Sequence, residues 1–117
     1  TSVLLSPQGY YLYEAAHGTV TRHYYKHIAG EETSTNSVAT IFAWSGALKK
    51  RAELDGIGEL KSFGENLEKA TLMTIDEGVL TKELAALTSL SNPRVVNTFD
   101  FLKEVAQRLN KIGGYDI

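Results

Sequence analysis

Residues 14–36 read EAAHGTVTRHYYKHIAGEETSTN, and the candidate functional residues of the chain are concentrated in them. All three histidines lie here, and Arg22 stands directly before His23. Glycine lets backbone amides approach an anion, a helix start presents unpaired N–H groups, and arginine offers a planar fork that fits a phosphate. The stretch therefore predicts an anion-binding loop just ahead of a helix. A purely structural loop is the equally weighted alternative.

Length and composition narrow the class of protein. With 117 residues, 43% of them hydrophobic, one domain is expected. The net charge of −2 argues against broad binding to nucleic acid or to an anionic membrane, which both need a clustered positive field. The chain has no cysteine, which excludes disulfides, thiolate zinc sites and thiol nucleophiles. No apolar run is long enough to span a membrane, so a soluble chain is expected, and a start without methionine on a strand suggests an internal segment.

The first 35 residues predict a hairpin and then a loop. Ser2–Leu5 and Tyr10–Glu14 are extended pieces joined by Ser6-Pro7-Gln8-Gly9, a type I turn sequence. From Ala15 to Thr35 neither strand nor helix period persists, apart from one helical turn over His23–Ile28. Tyrosines near this loop either stack on a ligand or, as we favour, pack on the strands.

The remaining chain follows the helical period. We expect about four helices, with ends set by capping residues and glycines. The first is capped by Thr35 or Asn36 and stopped by Asp55-Gly56, and the second runs from Ile57 to about Ile75. The third covers Lys82–Leu87 after Thr81, and the fourth runs from Asn97 or Thr98 to Gly113-Gly114. The expected fold is a short β-hairpin followed by about four helices, mostly α. Their apolar faces need one another or a larger sheet outside the chain.

Other chemistries find weaker support. His17, His23 and His27 could share a metal, but no carboxylate completes a familiar ligand spacing. A serine hydrolase lacks its G-x-S-x-G turn, and helix capping already explains Ser34. A Rossmann dinucleotide site lacks G-x-G-x-x-G between a strand and a helix. A phosphate site of another design remains open.

Longer motifs carry a resemblance. EAAHGTVTRHY, then GEETSTN and SVATIFAW, resemble the cofactor loop of the dimeric NADP-dependent isocitrate dehydrogenases, which belong to the β-decarboxylating dehydrogenase family. The similarity continues through LKKRAELDGIGEL, EGVLTKELAAL and NTFDFL, over essentially the whole chain. It implies an α/β parent fold, in which residues 1–117 form one segment, the C-terminal part of the large cofactor-binding domain.

The resemblance also implies site roles. His17-Gly18-Thr19 would wrap the adenosine side of NADP, Arg22 and His23 would contact its 2′-phosphate, and Asn36 would hydrogen-bond adenine beside Thr35. The resemblance implies no catalytic or metal-binding residue in this chain. The full set implied for the cofactor is Glu14, His17, Gly18, Thr19, Val20, Thr21, Arg22, His23, Thr35 and Asn36.

In the parent enzyme implied by the resemblance, isocitrate is oxidised and decarboxylated to 2-oxoglutarate with NADP as hydride acceptor and Mg²⁺ or Mn²⁺ as metal. The parent is a homodimer, and this chain would bind the remainder of the dehydrogenase polypeptide but neither nucleic acid nor membrane. The chain by itself is expected to be inactive. Two alternatives stay open: a module that binds NADP-like phosphorylated nucleotides without catalysis, and a structural fragment. A cytoplasmic location is expected, with a mitochondrial one as the alternative.

Overall fold

The computed structural model describes residues 2–16 and 21–117. The predicted hairpin and the mainly helical α/β composition are confirmed in these residues. In chain order the elements are β1 (Ser2–Leu5), β2 (Tyr11–Glu14), α1 (Thr21–Ile28), α2 (Val38–Asp55), α3 (Gly58–Asp76), β3 (Val79–Thr81), α4 (Lys82–Ala85), β4 (Arg94–Val96) and α5 (Thr98–Gly113).

The hairpin pairs β1 with β2 in an antiparallel register that runs from Ser2 opposite Glu14 to Leu5 opposite Tyr11. Its turn closes where the Gly9 N–H donates to the Ser6 carbonyl at 3.0 Å. Gly9 has a φ of 89°, in the left-handed region that favours glycine. The turn predicted from Pro7 and Gly9 is therefore confirmed.

The ring of Tyr13 packs the hairpin closely against α2. A Cβ atom added to Gly46 would lie 2.9 Å from two ring carbons of Tyr13, closer than carbon atoms pack. A residue larger than glycine at position 46 would push the ring, and with it β2, away from the helix. Tyr13 thus packs on the scaffold, as the favoured interpretation of the strand tyrosines expects.

Helices α2, α3 and α5 form the body of the molecule. Its buried hydrophobic cluster comes from all three helices and comprises Ile41, Ala70, Phe101, Val105 and Leu109. The last three residues recur every four positions, which places them on one face of α5. Gly64 lets α3 approach α2 closely, since a Cβ there would lie 2.7 Å from Cγ of Lys49 and 3.2 Å from the carbonyl oxygen of Ser45.

The sequence predicted several helix ends correctly. Gly56 and Gly114 follow α2 and α5 with φ of 67° and 68°, the left-handed geometry of a glycine C-cap. Asn97 caps α5, because its Oδ1 accepts from the Asp100 N–H at 2.8 Å.

Three helix boundaries differ from the prediction. Helix α1 starts at Thr21, two residues before the predicted His23, so Arg22 and His23 lie in a helical turn and not on a loop. Helix α2 starts at Val38 after Ser37. The Asn36 Oδ1 accepts from the Val38 N–H at 3.0 Å and so satisfies this helix start from one position further out than a cap. Helix α4 ends at Ala85 and not at Leu87.

The prediction missed a second, parallel pair of strands. β3 and β4 pair from Val79 opposite Arg94 to Thr81 opposite Val96. Each strand has only three residues, too few to show an alternating pattern, and their pairing joins segments separated by α4. The pair contacts both α4 and α5. None of the helices in the described ranges is long and apolar enough to cross a membrane.

Candidate functional site

A cleft of about 610 Å³ lies between α1 and the junction of β4 with α5. Its size falls within the range of small-molecule sites. One wall comes from α1, and the facing wall comes from the segment before α2 together with α4, β4 and the cap of α5. The lining residues are His23, Lys26, Glu32, Thr33, Ser34, Lys82, Glu83, Ala86, Val95, Val96 and Asn97.

Helix α1 brings positive charge to its own N-terminus. Arg22 and His23 occupy its first turn, which holds no acidic residue. The helix dipole places partial positive charge at this end, so cations here are unfavourable by themselves and an anion is favourable. None of the eight residues of α1 is buried, so core packing does not explain this helix. The arrangement is suited to holding a negatively charged ligand.

Hydrogen bonds fix the segment that faces α1. The Thr35 N–H donates to Oγ1 of Thr98 at 2.7 Å, and that hydroxyl donates to the Thr35 carbonyl at 2.8 Å. Nδ2 of Asn97 donates to Oε1 of Glu32 at 2.7 Å. Residues 32–35 are therefore tied to the start of α5, which holds this wall of the cleft in place.

The structure places the predicted site residues unevenly. Of those in the described ranges, only His23 lines the cleft. Thr21 and Arg22 are exposed at the start of α1 and do not line the cleft. Thr35 and Asn36 continue the wall that contains Thr33 and Ser34 but do not line the cleft themselves.

The remaining predicted residues are not brought to the cleft. Glu14 is exposed at the end of β2, where its Oε1 accepts from the Ser2 hydroxyl at 2.5 Å. His17, Gly18, Thr19 and Val20 lie outside the described residues. Their cofactor roles stay predictions.

The sequence interpretation missed two cations that line the cleft. Lys26 lies one helical turn after His23, a spacing already contained in the helical turn predicted over His23–Ile28. Lys82 comes from α4, far along the chain, and no local pattern signals it. The cleft is also lined by Glu32 and Glu83, and Oε1 of Glu32 accepts a hydrogen bond from Asn97. Basic groups thus dominate the α1 wall.

A metal site finds no support in these residues. Within residues 2–16 and 21–117 no group of three or more His, Asp or Glu side chains could hold an ion. His23 lines the cleft and His27 does not. The side chains present do not fit the Mg²⁺ or Mn²⁺ that the resemblance implies for the parent.

Comparison with known proteins identifies the class. The family model described as isocitrate/isopropylmalate dehydrogenase matches residues 1–105. The chain belongs to the isocitrate/isopropylmalate dehydrogenase family, which confirms the resemblance.

Among individual relatives, the chain is 50% identical over 115 residues to isocitrate dehydrogenase [NADP] of Saccharomyces cerevisiae, covering 96% of this chain and 27% of the relative. It is 53% identical over 115 residues to the mitochondrial form of the same organism, covering 95% and 27%. It is 50% identical over 119 residues to a peroxisomal form of Candida tropicalis, covering 98% and 29%. The chain therefore spans little more than a quarter of the length of these relatives.

Proposed function

We propose that the chain is the NADP-binding, C-terminal part of the large domain of an NADP-dependent isocitrate dehydrogenase. The reaction of the whole protein is the oxidative decarboxylation of isocitrate to 2-oxoglutarate, in which NADP⁺ accepts the hydride. Identity near 50% to enzymes named for this reaction, over nearly the whole chain, supports the proposal. The part played by this segment is to bind the cofactor and to distinguish it from NAD⁺.

One observation carries the cofactor assignment: Arg22 and His23 occupy the first turn of α1, at its positive end, and His23 lines an open cleft. A 2′-phosphate carries close to two negative charges at neutral pH and offers three acceptor oxygens. It would offset the repulsion between the Arg22 guanidinium and the helix dipole. NAD⁺ lacks this group and would leave the repulsion in place.

The adenosine part fits the wall that α5 holds in place. Thr33 and Ser34 line the cleft. Because Oδ1 of Asn36 accepts from the Val38 N–H, its Nδ2 group remains as a donor for an adenine ring nitrogen. Residues 33–36 would therefore orient the base while α1 holds the phosphate.

Isocitrate and the divalent metal would be held by the rest of the dehydrogenase polypeptide. An apolar groove of about 360 Å³ between α2 and α5 is the surface that would meet it. Trp44, in this groove, is 65% exposed, which is unusual for so large a side chain. The relatives carry roughly three quarters of their length outside the matched part, enough polypeptide to cover the groove. The homodimer of the parent would form from chains completed in this way.

The groove can be tested with a matched pair of variants. Trp44→Asp should abolish co-purification with the preceding three quarters of the S. cerevisiae enzyme. Leu54→Asp, which changes a side chain of the same helix that is 57% exposed and outside the groove, should leave co-purification intact. Equal behaviour of the two variants, or self-association of the chain through Trp44 in sedimentation, would contradict this partner.

Cofactor titration tests the central assignment. In the full chain, Arg22→Met with His23→Gln should weaken the binding of NADP⁺ and of 2′-phospho-AMP by about tenfold to a hundredfold. This is the effect of losing one charge-assisted hydrogen bond of about 1.5–3 kcal/mol. Binding of NAD⁺ and AMP should change little. Equal weakening of both cofactors would show that the pair supports α1 instead.

A turnover assay separates the enzyme part from a binding module. The completed polypeptide, in which this chain is joined to the rest of the dehydrogenase, should oxidise isocitrate with NADP⁺. Arg22→Met with His23→Gln should shift its cofactor preference toward NAD⁺. Cofactor binding without turnover in the completed polypeptide would favour the binding module, a phosphorylated-nucleotide site without catalysis.

A further inference from the structure

Lys26 occupies a special position on α1. It lies four residues after Arg22 and three after His23, and residues at these spacings are neighbours on a helix surface. No other position of α1 is one turn after both. Lys26 also lines the cleft together with His23, whereas His27, one turn from His23 on its other side, does not.

We propose that Lys26 is a third cation for the 2′-phosphate and so a specificity-determining residue for NADP. The inference rests on the proposed function and adds to it a residue that neither the motif nor the resemblance assigns. The phosphate offers three acceptor oxygens, more than one guanidinium fork and one imidazole N–H need occupy. An ammonium on a four-carbon stem can reach from the second turn of the helix to the phosphate at its first turn.

The charges that face Lys26 across the cleft do not prevent this role. Glu32 accepts from Asn97 and is held against the start of α5. Glu83 is half-buried on α4 and brings one negative charge, whereas the phosphate brings close to two. An exposed lysine beside a dianion is also strongly sensitive to ionic strength. Its contribution should therefore be largest in dilute buffer.

The experiment compares dissociation constants in the full chain with Lys26→Met. Calorimetric titration at low salt should show NADP⁺ and 2′-phospho-AMP weakened about threefold to tenfold, with NAD⁺ and AMP changed by less than about twofold. Raising the salt concentration should shrink the difference between the variant and the unsubstituted chain. Lys26→Arg should keep most of the affinity because the charge remains.

Two control variants isolate position from charge. Lys69→Met removes an exposed lysine of α3 that does not line the cleft, and His27→Gln removes a basic group of α1 that also lies outside it. Neither should change the ratio of NADP⁺ to NAD⁺ affinity. A change as large as that of Lys26→Met in either would reduce the effect to net charge and overturn the inference.

The outcomes separate this inference from the function beneath it. If the unsubstituted chain does not prefer 2′-phospho-AMP over AMP, the proposed function fails and the inference fails with it. If the chain prefers 2′-phospho-AMP and Lys26→Met keeps that preference, only the role of Lys26 fails. If Lys26→Met lowers the preference while both controls keep it, both stand.

Discussion

Helices α5 and α1 illustrate two ways in which a sequence uses a helix. Helix α5 has Asn97 as cap, Asp100 in its first turn and Lys111 in its last, and it buries an apolar face in the core. Each choice stabilises the helix. Helix α1 places Arg22 at the end where cations are disfavoured, and none of its residues is buried. Local rules that a chain obeys in its scaffold and breaks beside a cleft point to a ligand that offsets the cost.

The largest expected loss of stability comes from a substitution in the core that α5 helps to form. Phe101 is fully buried on α5, so Phe101→Ala should lower the free energy of unfolding by about 3–5 kcal/mol. Phe99 on the same helix is 68% exposed, and Phe99→Ala should change it by no more than about 0.5 kcal/mol. Denaturant titration of both variants makes the measurement. Similar losses would mean that Phe99 is covered in solution.

A second substitution affects both the end of α5 and the cleft, because Asn97 caps α5 and also donates a hydrogen bond to Glu32 at the cleft. Asn97→Ala should lower the free energy of unfolding by about 0.5–2 kcal/mol and weaken NADP⁺ binding. Asn97→Asp keeps an acceptor for the Asp100 N–H but loses the donor to Glu32. It should therefore keep the stability and still weaken binding. Intact binding in Asn97→Asp would show that the wall does not depend on this hydrogen bond.

The charged network on α5 gives a pH-dependent effect. Oε2 of Glu104 accepts from Nη1 of Arg108 at 2.8 Å, and its Oε1 accepts from Nη1 of Arg94 at 2.9 Å. The hydrogen bond from Arg108, with help from Arg94, holds the pKa of Glu104 below its ordinary value of 4.5.

The pKa of Glu104 is lower in the folded chain than in the unfolded chain. The contribution of its carboxylate to the free energy of unfolding is therefore complete above pH 4.5 and is lost as the pH falls through the folded-state pKa. Glu104→Gln should cost about 1 kcal/mol of unfolding free energy at pH 7. The difference from the unsubstituted chain should shrink below pH 4.5 in denaturant titrations at a series of pH values. A difference that is the same at pH 3 and pH 7 would rule out this ion network as its source.

The smallest expected effect has the opposite sign. Arg22→Met removes a cation from the positive end of α1 and should raise the free energy of unfolding, by about 0.3–1 kcal/mol, while it weakens NADP⁺. Lys111→Met removes a cation from the favourable end of α5 and should lower it by a similar amount. Thermal unfolding of the two variants without cofactor makes the comparison. A loss of stability in Arg22→Met would assign Arg22 a structural role.

How far the sequence could predict the fold depended on the range of the interactions involved. The ends of α2 and α5 were predictable because Gly56, Gly114 and Asn97 act through their own backbone or the next few residues. The start of α1 was not, since Thr21 and Arg22 follow a glycine-containing stretch without a helical period. Strands β3 and β4 were missed because three residues define no period until a distant partner is present.

The same division applies to the candidate site. Arg22 and His23 were recognisable by residue type and spacing, and the longer motif linked them to a dehydrogenase family, to which the family model assigns the chain. The lining by Lys82 and Asn97 could not be predicted, because these residues reach the cleft only through the pairing of β3 with β4. The hydrogen bonds between Thr35 and Thr98 join residues far apart in the chain and were equally out of reach.

The amino-acid sequence by itself determined the hairpin and the long helices with their glycine ends, because each depends on a few neighbouring residues. It also marked Arg22 and His23 as candidate ligands of an anion. The tertiary structure decided that these two residues stand at a helix start, that Lys26 shares their surface, and that a wall held by α5 faces them. Packing of distant segments sets these relations, and no local pattern contains the information on which segments will meet.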